Sequence, residues 1–466
     1  MKVNRLIFRE YDIRGVVGTD IDETFAYHLG RAFARKATEH GAKTIAVGYD
    51  CRLTSPMLKD ALIQGLNHSG LDVIDIGVVP TPLLYYALFN LPVEGGVQIT
   101  ASHNPPEFNG FKLCIGKETL YGEGIQTIRA IMEKEDYPDG KGEARGDREL
   151  IDRYIDEVRR TIQMGDRPLK VVVDAGNGTA GPVAPRLYRA LGCEVVELYT
   201  DMDGTFPNHH PDPVVLENLK DLQQKVLETG ADLGIGFDGD ADRIGVIDES
   251  GRVIWGDQLL MIYARDLLAR IPGAKIIFEV KCTMLLEEDI RKRGGVPIMW
   301  KAGHSLIKAK MLEEGALLAG EMSGHMFFKE RFYGYDDAIY AGARLLEILS
   351  KTNEPLSALL KDLPTTYSTP EIRVACDDTV KFQVVERVVD AFKTRGHRVI
   401  TVDGARVVYE DGWGLLRASN TQPALVLRFE ALSEEALKRI QRDFEMELRR
   451  ILSELGLPDQ LESAGH

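Results

Sequence analysis

The sequence predicts an α/β protein of four domains around a central cleft, three of related build (mixed sheets with helices) and a C-terminal α+β domain. Three observations predict this. At 466 residues the chain is too long for one hydrophobic core, and its length points to three or four domains. A unit made of a β-branched apolar run, a helical stretch, a Gly and a second apolar run recurs three times. The C-terminal part departs from that pattern and reads helix, strands, helix.

The first unit places a strand at 44–47, a helix from Ser55-Pro56, a stop at Gly70 and a second strand at 71–76. Ser55 is a good N-cap and Pro56 suits the first helical position. The second unit has a strand at 171–173, a helix ending at Leu191, Gly192, and a strand at 193–199. The third runs from a strand at 276–280 through a helix at 285–293 and Gly294-Gly295 to a strand at 296–300. In each, the Gly is the expected helix stop, because it adopts the left-handed conformation at little cost. Beyond these, 382–393 reads as a helix, 399–402, 406–409, 413–419 and 424–430 as strands, and 433–455 as a long helix. That helix begins with an N-cap Ser433 and carries Glu434-Glu435 in its first turn. The tail from Leu457 onward carries no structural signal. Polar and Gly/Pro-rich stretches divide the chain into 1–147, 148–252, 253–365 and 366–466; the segment 136–148 (DYPDGKGEARGDR) is the clearest of them.

Composition narrows the function. Net charge is −15 and no basic stripe is present, which argues against a nucleic-acid partner. No apolar run reaches membrane-spanning length, and the first ten residues lack a signal peptide's apolar stretch. Five scattered cysteines without a CxxC pair argue for reduced thiols and a cytoplasmic protein. An acidic protein that binds anions must gather Arg, Lys and helix N-termini in one place.

Four segments carry candidate chemistry. In TASHNP (100–105), Ser102 sits in a tight turn after a strand, where a serine is either an exposed nucleophile or a plain turn residue. His103 is its neighbour in sequence, and adjacent side chains rarely face one another, so a simple Ser–His dyad is not expected. DGDADR (238–243) places Asp238, Asp240 and Asp242 in one loop between two strands. Three carboxylates at that density repel one another unless a hard cation such as Mg²⁺ or Ca²⁺ joins them. An EF-hand is excluded because Arg243 stands where Gly is required and strands flank the loop. GEMSGH (320–325) offers Glu321, Ser323 and His325 between glycines, a loop suited to gripping hydroxyls or an ordinary flexible turn. RASNTQP (417–423) gathers Arg417, Ser419, Asn420 and Thr421, a dense anion-binding set or a turn with one surface Arg. Smaller pieces are Tyr11 and Arg14 in YDIRG, Lys112 soon after Ser102, Lys281 after the first strand of the third unit, and His304 in KAGH.

In this order, TASHNP, DGDADR, GEMSGH and RASNTQP resemble the α-D-phosphohexomutase superfamily, from YDIRG at Tyr11 to about residue 455. GEMSGH is similar to the bacterial phosphomannomutase/phosphoglucomutase branch; phosphoglucosamine mutases usually carry Gln where this chain has Met322. The resemblance implies an isomerase that moves a phosphoryl group between the 1- and 6-positions of mannose or glucose. Its vehicle would be a phosphoserine, and its intermediate and activator a glucose or mannose 1,6-bisphosphate. On that resemblance Ser102 is the phosphoserine, and Asp238, Asp240 and Asp242 bind one Mg²⁺ per chain together with a Ser102 phosphoryl oxygen. Glu321 and Ser323 contact sugar hydroxyls, and Arg417, Ser419, Asn420 and Thr421 hold the non-reacting phosphate. Lys112 and His304 are the proton-transfer candidates, and Tyr11, Arg14, Arg243, Lys281 and His325 line the cleft. A lysine acting as base must have a lowered pKa, for which Arg243 and the cation are the expected causes. The partners implied are sugar phosphates, with no nucleic acid or membrane, and the chain is expected to be a monomer or weak dimer. The rival readings are a phosphoglucosamine mutase, a non-catalytic sugar-phosphate-binding protein and a Mg²⁺-dependent phosphatase.

Overall fold

A computed structural model describes residues 1–419 and 423–458. The expected tail from residue 459, and Asn420 and Thr421, lie outside the described residues.

Four sheets follow one another along the chain. In the first, Thr44–Tyr49 pairs in parallel with Asp72–Val78 on one side and Gly95–Ile99 on the other. Phe108–Ile115 then runs antiparallel to Gly95–Ile99 and brings Ile13–Val16 to the edge. The helix Ser55–His68 joins the parallel pair, and Gly70, at φ +87°, ends it as expected. Ser55 is not the N-cap, however. Thr54 holds that position without a capping bond, its hydroxyl accepting from Asn109 Nδ2 at 2.9 Å, while the Ser55 hydroxyl donates to Asp50 Oδ1 at 2.6 Å. The segment 136–148 is also more than a linker: Ala144–Gly146 adds a parallel edge strand beside Asp72–Val78. Its residues are exposed, so no apolar alternation marks it in the sequence.

The second sheet pairs Lys170–Asp174 in parallel with Glu194–Leu198 and Leu233–Phe237, and the hairpin partner Ile244–Asp248 runs antiparallel. Val253–Ile254 belongs to this sheet too, just past the expected division after residue 252. In the third sheet, Lys275–Glu279 pairs in parallel with Val296–Trp300 and Leu318–Gly320, and Met326–Phe328 closes it antiparallel. The fourth is antiparallel throughout, with Ala424–Ala431, Gly412–Ala418, Ala405–Tyr409 and Arg398–Ile400 in spatial order. Helices Lys381–Thr394 and Glu434–Glu454 pack on one face through Val384, Val388, Phe392, Ile440, Phe444 and Leu448. Ser433 caps the second of these by accepting from Ala436 N, as its sequence predicts.

One apolar core runs continuously through the first three domains. The helix Thr81–Asn90 shows why: every residue from Thr81 to Leu88 is buried, so it has no solvent face. A helix apolar all round must be covered on every side. Its first residue also reaches the second domain, where Thr81 N and Oγ1 donate to Asp240 O and Oδ2 at 2.9 and 2.6 Å. In the fourth sheet, side-chain alternation along Gly412–Ala418 sends Leu416 toward the helices and Trp413, Leu415 and Arg417 to the other face. Trp413 and Leu415 meet Val280 of the third domain there. Among the described residues, no helix is long and apolar enough to cross a membrane.

Candidate active site

The Asp238–Arg243 loop joins the two antiparallel strands Leu233–Phe237 and Ile244–Asp248, so its ends are fixed by the ladder. Asp238 braces it from within: Oδ1 accepts from the backbone N of Asp242 and Arg243, both at 3.1 Å. All three aspartates are fully buried, and their carboxylate oxygens lie within 4.8 Å of one another. Burial pushes Asp238 well above the usual carboxylate range, with Asp242 and Asp240 adding to it. Asp240 Oδ1 and Asp242 Oδ1 have no hydrogen-bond partner among the described residues. Buried, orphaned, mutually repelling carboxylate oxygens are the donor set a small hard cation takes, so the residues present fit Mg²⁺.

Ser102 meets this loop from the first domain. It stands in the left-handed region at φ +51°, its N–H bonded to Thr100 Oγ1 at 2.9 Å. Its hydroxyl donates to Asp238 Oδ2 at 2.7 Å and lies 3.1 Å from His103 Nδ1. The expectation that His103 faces away is therefore wrong, because the positive φ at Ser102 turns the two side chains together. Burial and the nearby Arg243 and Arg14 hold the His103 imidazole well below its usual range, so it is neutral. The two loops touch closely: a Cβ on Gly239 would lie 2.5 Å from the Ser102 carbonyl oxygen. Only glycine fits there.

Lys112 reaches the same place by strand alternation. Phe111 and Leu113 face the first domain's core, and Lys112 points the other way with Cys114. Its ammonium bridges Asp240 Oδ2, at 3.0 Å, and Asp242 Oδ2. Burial works to lower its pKa, but Asp240 and Asp242 outweigh burial and raise it. On their own, the two acids hold Lys112 as an ammonium, the opposite of the lowering that a cation bound to the same acids would cause.

The third domain contributes two stacked imidazoles, His304 and His325, with ring centroids 5.4 Å apart. Arg243 Nε donates to His325 Nε2 at 3.0 Å. Buried Asp336 faces both rings, its Oδ2 3.2 Å from His325 Nδ1 and 3.6 Å from His304 Nδ1. Burial pushes the His304 pKa well down, which leaves the ring neutral. Burial likewise raises Asp336, but Lys308 and the two histidines outweigh it and hold its carboxyl well below the usual range.

A second set of expected residues forms a chain across the domains. Tyr11 Oη donates to Ala302 O at 2.7 Å, and Ala302 N donates to Asp403 Oδ2 at 3.0 Å. Asp403 in turn accepts from Arg417 Nε at 3.1 Å. Gly303, at φ +132° and with its Cα against the Tyr11 ring, donates its N–H to Glu321 Oε1 at 2.6 Å. Glu321 Oε2 is buried without a hydrogen-bond partner among the described residues. Ser323 sits half-buried in the turn closed by Gly324 N and Glu321 O. Lys281 pairs with Glu371 of the C-terminal domain at 2.6 Å, and Arg14 pairs with Asp12 at 2.7 Å and bonds Asn104. Ser419 is buried at the end of the strand that carries Arg417, and its carbonyl accepts from Lys381 Nζ.

Thus Ser102, Lys112, the three aspartates, Arg243, His304 and His325 come together, and Tyr11, Glu321 and Arg417 are linked through residues 302–303 and Asp403. Sequence reasoning missed Thr81, Asp336 and Arg52. Asp336 stands beside Asp337, which caps the helix Ala338–Ser350, and a pair of aspartates before a helix reads as capping alone.

The chain matches four family descriptions in order. They are "Phosphoglucomutase/phosphomannomutase, alpha/beta/alpha domain I" over residues 5–139, domain II over 152–251, domain III over 255–367, and the C-terminal domain over 371–446. It is 51% identical to the phosphomannomutase/phosphoglucomutase of Pseudomonas aeruginosa, covering 97% of each chain. It is 48% identical to a phosphoglucomutase of Neisseria gonorrhoeae, over 95% of this chain and 96% of that one. A crystal structure of a phosphoglucomutase/phosphomannomutase family protein from Burkholderia thailandensis superposes with a TM-score of 0.92 at 47% identity, covering 97% of this chain and 98% of that one.

Proposed function

We propose, for a chain that belongs to the phosphoglucomutase/phosphomannomutase family and interconverts hexose 1-phosphate with hexose 6-phosphate, that Ser102 carries the phosphoryl group in transit. The observation that carries the proposal is the Ser102 hydroxyl on Asp238, inside a buried set of three carboxylates. Asp238, Asp240 and Asp242 would hold a Mg²⁺ beside Ser102, and that ion would supply Lewis-acid neutralisation of the transferring oxygens.

In the forward half-reaction the phosphoryl group on Ser102 passes to the free hydroxyl of a hexose 1-phosphate. The O–P bond to Ser102 breaks, a bond to the sugar oxygen forms, and the hydroxyl proton leaves for a base. A 1,6-bisphosphate results. It turns end for end, its other phosphoryl group returns to Ser102, and hexose 6-phosphate departs. Phosphoryl transfer demands positioning and charge stabilisation more than covalent help. Lys112 and Arg243 provide positive charge beside the aspartates. His304 and Lys112 are the two candidates for the proton acceptor: His304 is buried and faces Asp336, and Lys112 must first part from its bonds to Asp240 and Asp242. His325 is held by Arg243 at Nε2 and orients beside His304. Glu321, through its unpartnered oxygen, and Ser323 read sugar hydroxyls. Arg417, Ser419, Asn420 and Thr421 hold the phosphate that is not reacting, with Lys281, Tyr11 and Arg14 along the way. The separate sheets support the limits 1–147 and 366–466, while Val253–Ile254 belongs to the second sheet, so the division expected after residue 252 moves past Ile254.

The test is mutase activity with Mg²⁺ on mannose, glucose and glucosamine 1-phosphates, primed with a trace of sugar bisphosphate. Turnover of both mannose and glucose phosphates, abolished by Ser102→Ala, is expected. Turnover confined to glucosamine phosphate would move the chain to another substrate, and full activity in Ser102→Ala would remove the phosphoserine.

A further inference from the structure

Arg52 lies outside the chemistry described above, yet it is the most fully engaged cation near it. Its side chain is wholly buried. Nε donates to Asp50 Oδ2 at 3.1 Å. Nη1 donates to the carbonyls of Pro105 and Phe108, at 2.6 and 3.1 Å. Nη2 donates to those of Ser102 and Asn104, at 2.8 and 2.6 Å. Those five bonds match the five N–H donors of a guanidinium, and four of them go to residues 102–108.

That turn needs an outside donor. Pro105 and Pro106 remove two backbone N–H groups from it, so its carbonyls cannot all be served locally. Ser102 also stands at φ +51°, which costs a non-glycine residue about 1 kcal/mol or more unless the surroundings enforce it. Asp50 balances the buried charge and is itself fixed, Oδ1 accepting from Arg52 N and Ser55 Oγ. The outer face of the guanidinium is closed by the ring of Phe206, whose centroid is 5.2 Å away. Gly204 packs against the Cys51–Arg52 backbone, where a Cβ would lie 2.4 Å from Cys51 O. Arg52 therefore ties the serine turn of the first domain to its own strand end at the seam with the second domain.

We propose that Arg52 is a positioning residue for phosphoryl transfer, holding the 102–108 backbone so that the Ser102 hydroxyl faces Asp238. The inference rests on the reading of Ser102 as the phosphoryl carrier. Lysine cannot replace it, since an ammonium is a compact charge with three donors and no planar fork. Glu321, Ser323, Lys281 and Arg417 lie on other loops, and Arg14, which bonds Asn104, is also anchored by Asp12, so loss of Arg52 acts on turnover far more than on substrate binding.

The experiment is steady-state kinetics of Arg52→Lys on glucose 1-phosphate, per folded molecule, beside the rate at which glucose 1,6-bisphosphate phosphorylates Ser102 by intact mass. A misplaced nucleophile lowers kcat by about 100-fold with KM within about twofold, and slows Ser102 phosphorylation to match. Arg52→Gly should regain part of its kcat when guanidinium ion is added. Wild-type kcat in Arg52→Lys, or a raised KM with kcat unchanged, overturns the proposal. So does activity lost only in proportion to folded protein. If Arg52→Gly does not fold, Arg52→Lys alone decides. Failure of the wild-type protein to accept phosphate on Ser102 refutes the underlying reading instead, and the mass measurement shows which has failed.

Discussion

Replacing Lys112 with Met tests the acidic loop most directly, because it removes a buried charge at nearly constant volume. The side chain is 2% exposed and its ammonium bridges two fully buried aspartates. Removing one partner of a buried ion pair costs about 3–5 kcal/mol, since the other charge is left unpaired in a poor solvent. Here two acids lose their counter-ion while a third stands beside them, so the upper part of that range applies. For a domain of this size, about 2–4 °C of Tm follows each kcal/mol. In chelator, Lys112→Met should therefore unfold at least about 8 °C below the wild type.

Magnesium separates the explanation from mere loss of packing. A ligand that binds only the folded state stabilises it by about 2.7 kcal/mol at a hundred times its Kd. A cation held by Asp238, Asp240 and Asp242 would share Asp240 and Asp242 with Lys112 in the wild type and would have them to itself in the variant. Thermal unfolding in chelator and in excess Mg²⁺ should then show a larger Mg²⁺-induced rise for the variant, recovering much of the loss. An equal loss under both conditions refutes the cation site, and no loss in chelator refutes the claim that Lys112 offsets the three acids.

Two further outcomes are expected. Arg417→Ala should raise KM for mannose and glucose 1-phosphates by about 10- to 100-fold, the loss of hydrogen bonds to a charged group, while bisphosphate still phosphorylates Ser102; an unchanged KM argues against the clamp. Asp337 is buried against Tyr340 N and Tyr154 Oη, and burial pushes its pKa up to about 7. An unfolded aspartate titrates near ~4, so between there and pH ~7 the folded protein binds the extra proton and loses stability as pH rises, by up to about 4 kcal/mol. Asp337→Asn keeps an N-cap side chain and cannot ionise. Its Tm should match the wild type near pH 4 and exceed it increasingly toward pH 7, and a flat difference across that range would falsify the assignment.

What was legible in the sequence was what the backbone states locally. The three strand–helix–Gly–strand units are present, because β-branched runs, Gly stops and apolar periodicity are read within a few residues. The aspartate loop was legible because its strands and its three acids are contiguous. Ser55 misled because a through-space acid, Asp50, took its hydroxyl. Arg52 and Asp336 were invisible for a similar reason: each acts on residues far along the chain, Arg52 on 102–108 and Asp336 on His304 and His325. The Lys112 pairing was not legible, because residues 238–243 and Lys112 come from different domains, and only their meeting shows that without a cation the acids outweigh burial.

The same meeting constrains how tightly a sugar phosphate can be held. Four of the cations proposed to face substrate are already paired within the protein: Lys112 with Asp240 and Asp242, Arg14 with Asp12, Lys281 with Glu371 and Arg417 with Asp403. Leaving any of them buried and unpaired in the free protein would be costly. If Arg417 and Lys281 bind phosphate as proposed, the arriving phosphate would exchange one anionic partner for another and gain only the difference. Small net gains at each contact would suit the proposed bisphosphate intermediate, which would have to let go, turn and be held again by the same residues. Glu371 sharpens the point, because Lys281 holds its pKa down at about 2, so it stays a competing anion throughout the neutral range. It sits on the C-terminal domain while Lys281 sits on the third, so the exchange couples phosphate capture to the contact between those two domains.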